Sequence, residues 1–173
     1  AGQMGSGIAQ VAAQAGMQVL LNDMGLDRAQ AGKAKIEKDL SRLVEKGKLE
    51  GAKAKEVLSL ITPAGDLADL KAADFIVEAA VEKIELKYQI FKKLDEVAQP
   101  GVILATNTSS ISITAIGAQT KRPDLVVGMH FMNPVPVMKL VEGIRGLRTS
   151  DATFATMRGL AEKMGKTVVE ARD

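Results

Sequence analysis

The chain has 173 residues, 46% hydrophobic and 25% charged, with a net charge of +2. That length buries one sizeable core and not two, and the weak net charge, single Tyr and absent Trp argue against a nucleic-acid partner. With no cysteine and a lone His130, neither a disulfide framework nor a thiolate or multi-histidine metal site is expected. In chain order, helical spacing over 5–15 is followed by an apolar β-rich run at 17–23 and helical patterns at 27–47 and 51–59. A weaker strand signal at 60–65 precedes a strong one at 74–80, a helix at 84–98 and a strand at 101–107. A short helix at 112–118, strands at 125–131 and 139–144, a helix at 152–164 and a strand at 166–171 complete the chain. Short apolar strands alternating with helices predict an α/β, doubly wound, mostly parallel sheet of the Rossmann type. No apolar run reaches the roughly 18 residues a membrane span needs, so a soluble, cytoplasmic protein without membrane contact is expected.

The opening "AGQMGSGIAQ" has the spacing of part of a dinucleotide fingerprint. Gly2 and Gly5 stand as its second and third glycines, and Asp23 closes the strand "VLLND" in the acidic position. Gly2 lets backbone approach a pyrophosphate, and Gly5 is expected to let the helix pack closely on the sheet. The first glycine and a central first strand are then expected before Ala1, with the strands near 17 and 74 left unpaired on their facing edges. NAD is favoured over NADP, because the Asp23 carboxylate accepts from a ribose 2′-hydroxyl and repels a 2′-phosphate, with Arg28 as the dissenting charge.

Ligands of open α/β sheets sit outside the carboxyl ends of the strands, and three such ends here carry polar groups. They are "EAAVE" (78–82), "TNTSS" (106–110) and "HFMNP" (130–134). Asn107, Thr108 and Ser110 also suit helix capping. The connection "MNPVPVM" is too short for a parallel crossover, so the strands on either side should be antiparallel neighbours. Folding the chain about Val135 and Pro136 sets position 141 opposite His130 and Glu142 within one residue of it, a pairing of imidazole with carboxylate suited to general-base work.

The segments "AGQMGSGIAQ", "VEAAVEKIELKYQIFKKLD", "ATNTSSISIT" and "GMHFMNPVPVMKLVE" together resemble the NAD-binding domain of the 3-hydroxyacyl-CoA dehydrogenases, over nearly the whole chain. The resemblance implies that His130 is the catalytic base and Glu142 its orienting carboxylate. It further implies that Ser109 bonds the substrate 3-oxygen and that Asn133 lies beside nicotinamide and substrate. Gly2, Gln3, Met4, Gly5, Asp23, Ala80, Glu82, Lys87 and Asn107, together with Ser109 and Asn133, match cofactor-side positions, and Lys46 matches a lysine reaching CoA. Asp39 departs from the serine that some relatives carry on that helix, and a solvated helix face is the plainer account of the Lys-rich stretch 33–55. The implied activity is NAD-dependent interconversion of a 3-hydroxyacyl-CoA and a 3-oxoacyl-CoA in fatty acid or butanoate metabolism. A helical domain after Asp173 would close the acyl-CoA cleft and make a homodimer. Two alternatives share the scaffold: a noncatalytic NAD-binding or structural protein, and a dehydrogenase of another 3-hydroxy acid.

Overall fold

The computed structural model describes residues 1–173. Helix α1 (Gln3–Gln14) leads into strand β1 (Val19–Asn22), then α2 (Leu26–Glu45), α3 (Gly51–Ser59) and β2 (Ile61–Ala64). Next come β3 (Phe75–Glu78), α4 (Ile84–Val97), β4 (Ile103–Thr106) and α5 (Ile113–Gly117). Strands β5 (Val126–Phe131) and β6 (Leu140–Arg145), helix α6 (Asp151–Lys163) and β7 (Thr167–Arg172) complete the order. Two 3₁₀ turns that the periodicity did not predict, Leu67–Ala72 and Pro123–Leu125, fill connections. The first has a local cause: the Asp66 side chain accepts from Ala68 N–H, and Asp69 reaches back to Asp66 N–H.

The strands form two sheets. β1 and β2 pair in parallel, and a five-stranded sheet runs β3-β4-β5-β6-β7. Only the β5–β6 pair is antiparallel, as the short connection predicts. The weak strand signal at 60–65 is a real strand on the edge of its sheet, where Pro63 removes no central ladder bond.

Helix α1 joins the two sheets because its apolar positions point two ways. Ile8 and Val11 pack with Ile103, Ala105, Val127 and Met129 of the large sheet. Ala9 and Ala13 pack with Leu21, Ile36, Leu40 and Val57 around the small one. Helix α2 contributes Ala29, Gly32, Ile36 and Leu40, a three-and-four spacing that makes one buried stripe. Burying a side chain such as Ile36 or Leu40 contributes about 1.5–3 kcal/mol each.

The large sheet is covered on both faces, since alternate residues of β4 enter different cores. Ile103 and Ala105 face α1 and α6, whereas Leu104 faces Phe91, Leu94 and Ile116 of α4 and α5. On β5, Val127, Met129 and Phe131 belong to the first face, which leaves Gly128 and His130 on the second. β6 continues the pattern, with Gly143 so close under α6 that a Cβ there would lie 2.6 Å from Met157 Cε.

Among the elements of this chain, the close approach of α1 falls at Gly7. A Cβ on Gly5 would meet only Ala79 Cβ at 3.9 Å, an ordinary contact, so Gly5 is not the point of closest helix approach in this structure. Gly7 has that role, since a Cβ there would stand 2.8 Å from Val135 Cβ. The close partner is the β5–β6 loop rather than a strand.

Candidate active site

The parallel strands β3, β4 and β5 lie side by side and end in polar loops, and Gln3 at the amino end of α1 donates to Asn133 in the loop after β5. Gly2 caps α1 without a side chain, and the first helical bond runs from Ser6 N–H to the Gly2 carbonyl. The amides of Gln3, Met4 and Gly5 therefore have no partner within the helix. Nothing lies within 4 Å of where a Gly2 Cβ would stand. A cavity of about 370 Å³ opens there, lined by Ala1, Gly2, Gln3, Asp23, Arg28 and Lys35 among others. Unpaired amides at a helix start, a side-chain-free approach and a carboxylate in the same cavity suit a pyrophosphate joined to a ribose. Met4 contributes only backbone here, because its side chain packs against the core.

Asp23 Oδ1 accepts from Met24 N–H at 2.6 Å. Burial pushes the carboxyl up, while the Met24 N–H and the Arg28 charge favour its ionised form. The acidic position thus carries a carboxylate at neutral pH.

His130 and Glu142 meet across the antiparallel ladder, with Nδ1 and Oε1 3.1 Å apart. The register pairs His130 directly with Glu142 and Phe131 with Val141, which corrects the expected pairing with position 141 by one residue. The loop is centred on Pro136 rather than between Val135 and Pro136, because Val137 and Met138 both turn back to the Pro134 carbonyl. That single residue matters: position 141 would have faced the opposite side of the sheet. Asn133, in the same loop, accepts at Oδ1 from Gln3 Nε2 at 3.1 Å, so the fingerprint helix and the β5–β6 loop are tied together.

The Ser109 loop is held by Glu82. Thr108 Oγ1 and Ser109 N–H donate to its two carboxylate oxygens, the latter at 3.2 Å, and Ser109 Oγ lies 3.4 Å from Oε2. Burial pushes the Glu82 carboxyl up, while bonds from Thr108 and Ser109 and the charge of Lys87 pull it down further, leaving it below the usual glutamate value. Asn107 accepts at Oδ1 from Phe131 N–H at 2.8 Å and so stitches the ends of β4 and β5 together. Capping of α5 is done by Ser112, whose hydroxyl accepts from Ala115 N–H. Thr108 Oγ1 instead accepts from Ile111 N–H inside the preceding turn.

Lys87 is 1% exposed, with Nζ 2.7 Å from Glu78 Oε2 and 3.2 Å from the Ala80 carbonyl. Two of its three donors are thus held within the protein. Sequence reasoning placed Glu78 in the polar strand end 78–82 but did not foresee its pairing with Lys87; its other oxygen accepts from Thr106 Oγ1 at 2.7 Å, and Oε2 also accepts from Ala80 N–H at 2.6 Å. The signal was present in an acid ending the apolar run "DFIV", where an uncompensated carboxylate would be costly. The pair fixes Ala80 from both of its backbone groups. Lys46 lies apart, at the exposed C-cap of α2. Asp39 pairs loosely with Arg42 at 3.7 Å and lines, with Lys35, Gln10 and Asn133, a second cavity of about 190 Å³ between α1, α2 and the β5–β6 loop.

The family described as 3-hydroxyacyl-CoA dehydrogenase, NAD binding domain, matches residues 1–173. The chain belongs to this family. It is 51% identical over 173 residues to a probable 3-hydroxybutyryl-CoA dehydrogenase of Bacillus subtilis, covering 100% of this chain and 60% of that protein. A 3-hydroxybutyryl-CoA dehydrogenase of Bradyrhizobium diazoefficiens is 49% identical over 173 residues, again 100% of this chain and 59% of the relative. The crystal structure of (S)-3-hydroxybutyryl-CoA dehydrogenase from Ralstonia eutropha superposes with a TM-score of 0.97 at 45% identity, over 99% of this chain and 61% of that one. The chain therefore spans about three-fifths of the length of these relatives. In this NAD-binding domain the residues present fit the dinucleotide, since the open Gly2 approach and the Asp23 carboxylate line one cavity.

Proposed function

We propose that the protein carrying this domain interconverts a 3-hydroxyacyl-CoA and a 3-oxoacyl-CoA with His130 as general base. The observation that carries this reading is the 3.1 Å contact between His130 Nδ1 and Glu142 Oε1 beside the loop of Asn133. A neutral imidazole that donates from Nδ1 to the carboxylate presents Nε2 as a free lone pair. In the oxidative direction Nε2 takes the proton of the 3-hydroxyl, and Glu142 stabilises the imidazolium that results. Bound NAD supplies the hydride acceptor for C3. The reverse direction uses the same groups, with His130 returning the proton to the 3-oxygen. Ser109 donates its hydroxyl to that oxygen, released from its long contact with Glu82, while Ser109 N–H keeps the loop in place. General-base assistance of this kind is worth about 10² to 10⁴ in rate.

Lys46 offers its ammonium to the CoA moiety from the end of α2, a reading supported by its exposure. The names of relatives about half identical over the whole chain favour a short acyl group. The deciding experiment assays the full-length protein for NADH oxidation with acetoacetyl-CoA, against free acetoacetate and a long-chain 3-oxoacyl-CoA. Turnover of acetoacetyl-CoA is expected; preference for the free acid would assign a different 3-hydroxy acid, and none at all would leave a noncatalytic NAD-binding protein.

A further inference from the structure

Lys166 is a buried lysine with no acidic partner. It is 7% exposed, and its Nζ donates to two backbone carbonyls of the β5–β6 loop, Val135 at 2.5 Å and Met138 at 2.7 Å. Its position comes from the end of α6. Gly165, at φ +80°, donates to the Glu162 carbonyl and Lys166 N–H to the Ala161 carbonyl, the paired bonds of a Schellman motif. One residue later, Thr167 N–H donates to the Lys139 carbonyl and starts the β6–β7 pairing. The backbone of Lys166 is thus pinned between a helix end and a strand start.

What it holds is the loop of Asn133. Val135 is 2% exposed and sits against Gly7, in the space a Cβ on that residue would take. Asn133 receives Gln3 of the same helix. The loop is therefore seated on α1 by Val135 and closed from behind by an ammonium. Around this seat the loop is mostly exposed, Val137 at 71% and Met138 at 41%, so little else restrains it. Burial pushes the Lys166 ammonium down from its usual value, the sign of a charge kept out of water at a cost to the fold. A lysine kept there although a neutral apolar side chain would avoid that cost implies a use for its donors.

We propose that Lys166 is a positioning residue for the reaction: by clamping the Val135 and Met138 carbonyls it holds the 133–138 loop against α1 and so fixes Asn133 at the nicotinamide end of the crevice. This role rests on the dehydrogenase reading above. The His130–Glu142 contact does not depend on the clamp, because the β5–β6 ladder carries it.

The test uses the full-length protein with Lys166→Met, which keeps length and removes the donors, and Lys166→Arg, which keeps charge and donors. Hydrogen exchange of the Val137 and Met138 amides, which donate to the Pro134 carbonyl, reads the clamp without reference to activity. In Lys166→Met these amides are expected to exchange at least tenfold faster, with the β5 and β6 amides unchanged. In the same variant kcat with acetoacetyl-CoA falls at least tenfold while the KM for acetoacetyl-CoA stays within threefold, and Lys166→Arg recovers at least a third of the wild-type kcat. Unchanged loop exchange overturns the clamp, as does global acceleration in both variants. Faster loop exchange with kcat kept within twofold overturns the positioning role. A wild-type enzyme inactive on every 3-oxoacyl-CoA tested would overturn the dehydrogenase reading, and the exchange data would still decide the clamp.

Discussion

Glu142 faces His130 directly across the β5–β6 ladder, its Oε1 3.1 Å from the imidazole Nδ1. Both side chains stand on the sheet face away from α6, so the carboxylate reaches the ring without distortion of either strand. Glu142→Gln keeps a hydrogen-bonding side chain but removes the charge that stabilises imidazolium. The full-length variant should lose about 10- to 100-fold in kcat/KM, and His130→Ala about 10² to 10⁴. NADH affinity, measured by fluorescence titration, should stay within a few-fold in both. A His130→Ala enzyme that turns over like wild type would move the base elsewhere.

Asp23 should set the choice of cofactor. Its carboxylate is held ionised by its neighbours, and a hydrogen bond to a charged group contributes about 1.5–3 kcal/mol. Asp23→Ala should weaken NADH binding roughly tenfold or more and narrow the preference for NADH over NADPH, because the repulsion of a 2′-phosphate is also gone. Arg28→Ala should restore part of the preference. Steady-state kcat/KM for both cofactors measures this, and an unchanged ratio in Asp23→Ala would exclude the assigned contact.

Glu82 makes stability depend on pH on the acid side. Its folded-state value lies below the ordinary 4.5, so its bonds to Thr108 and Ser109 stabilise the protein fully above that pH. The contribution disappears as pH falls below 4.5 through the lowered value, where the folded carboxylate takes up its proton. Urea midpoints recorded from pH 6 down to 3 should therefore fall less steeply in Glu82→Gln than in wild type. Parallel curves would show that the carboxylate carries no pH-linked stability.

The Glu78–Lys87 pair is buried at 5% and 1% exposure, and breaking such a pair from one side leaves an uncompensated charge. Lys87→Met should cost about 3–5 kcal/mol by chemical denaturation. The double variant Glu78→Gln/Lys87→Met should cost less than the sum of the singles, with a coupling of about 0.5–3 kcal/mol. Additive losses would mean that Lys87 contributes through packing alone.

Much of this protein is determined along the chain itself. The alternation of short apolar strands with helices specifies the α/β class, because each period follows from local backbone geometry. A seven-residue connection between two strands forces them antiparallel, so the proximity of His130 and Glu142 follows from chain length alone. The acidic Asp23 after "VLLN" is likewise visible, since the fingerprint is a local strand, turn and helix. Tertiary structure decided what depends on contacts distant in sequence. The one-residue register that brings Glu142 opposite His130 comes from the turn at Pro134, and the close approach at Gly7 rather than Gly5 comes from the seating of Val135. Lys87 stands out in the sequence only through the family resemblance, as a cofactor-side position, and Lys166 only as the start of the strand expected over 166–171. Each is buried because partners far along the chain compensate it, nine residues away for Lys87 and about thirty for Lys166. Desolvation makes such placements unfavourable until the fold has assembled the acceptors, and no local pattern encodes that assembly.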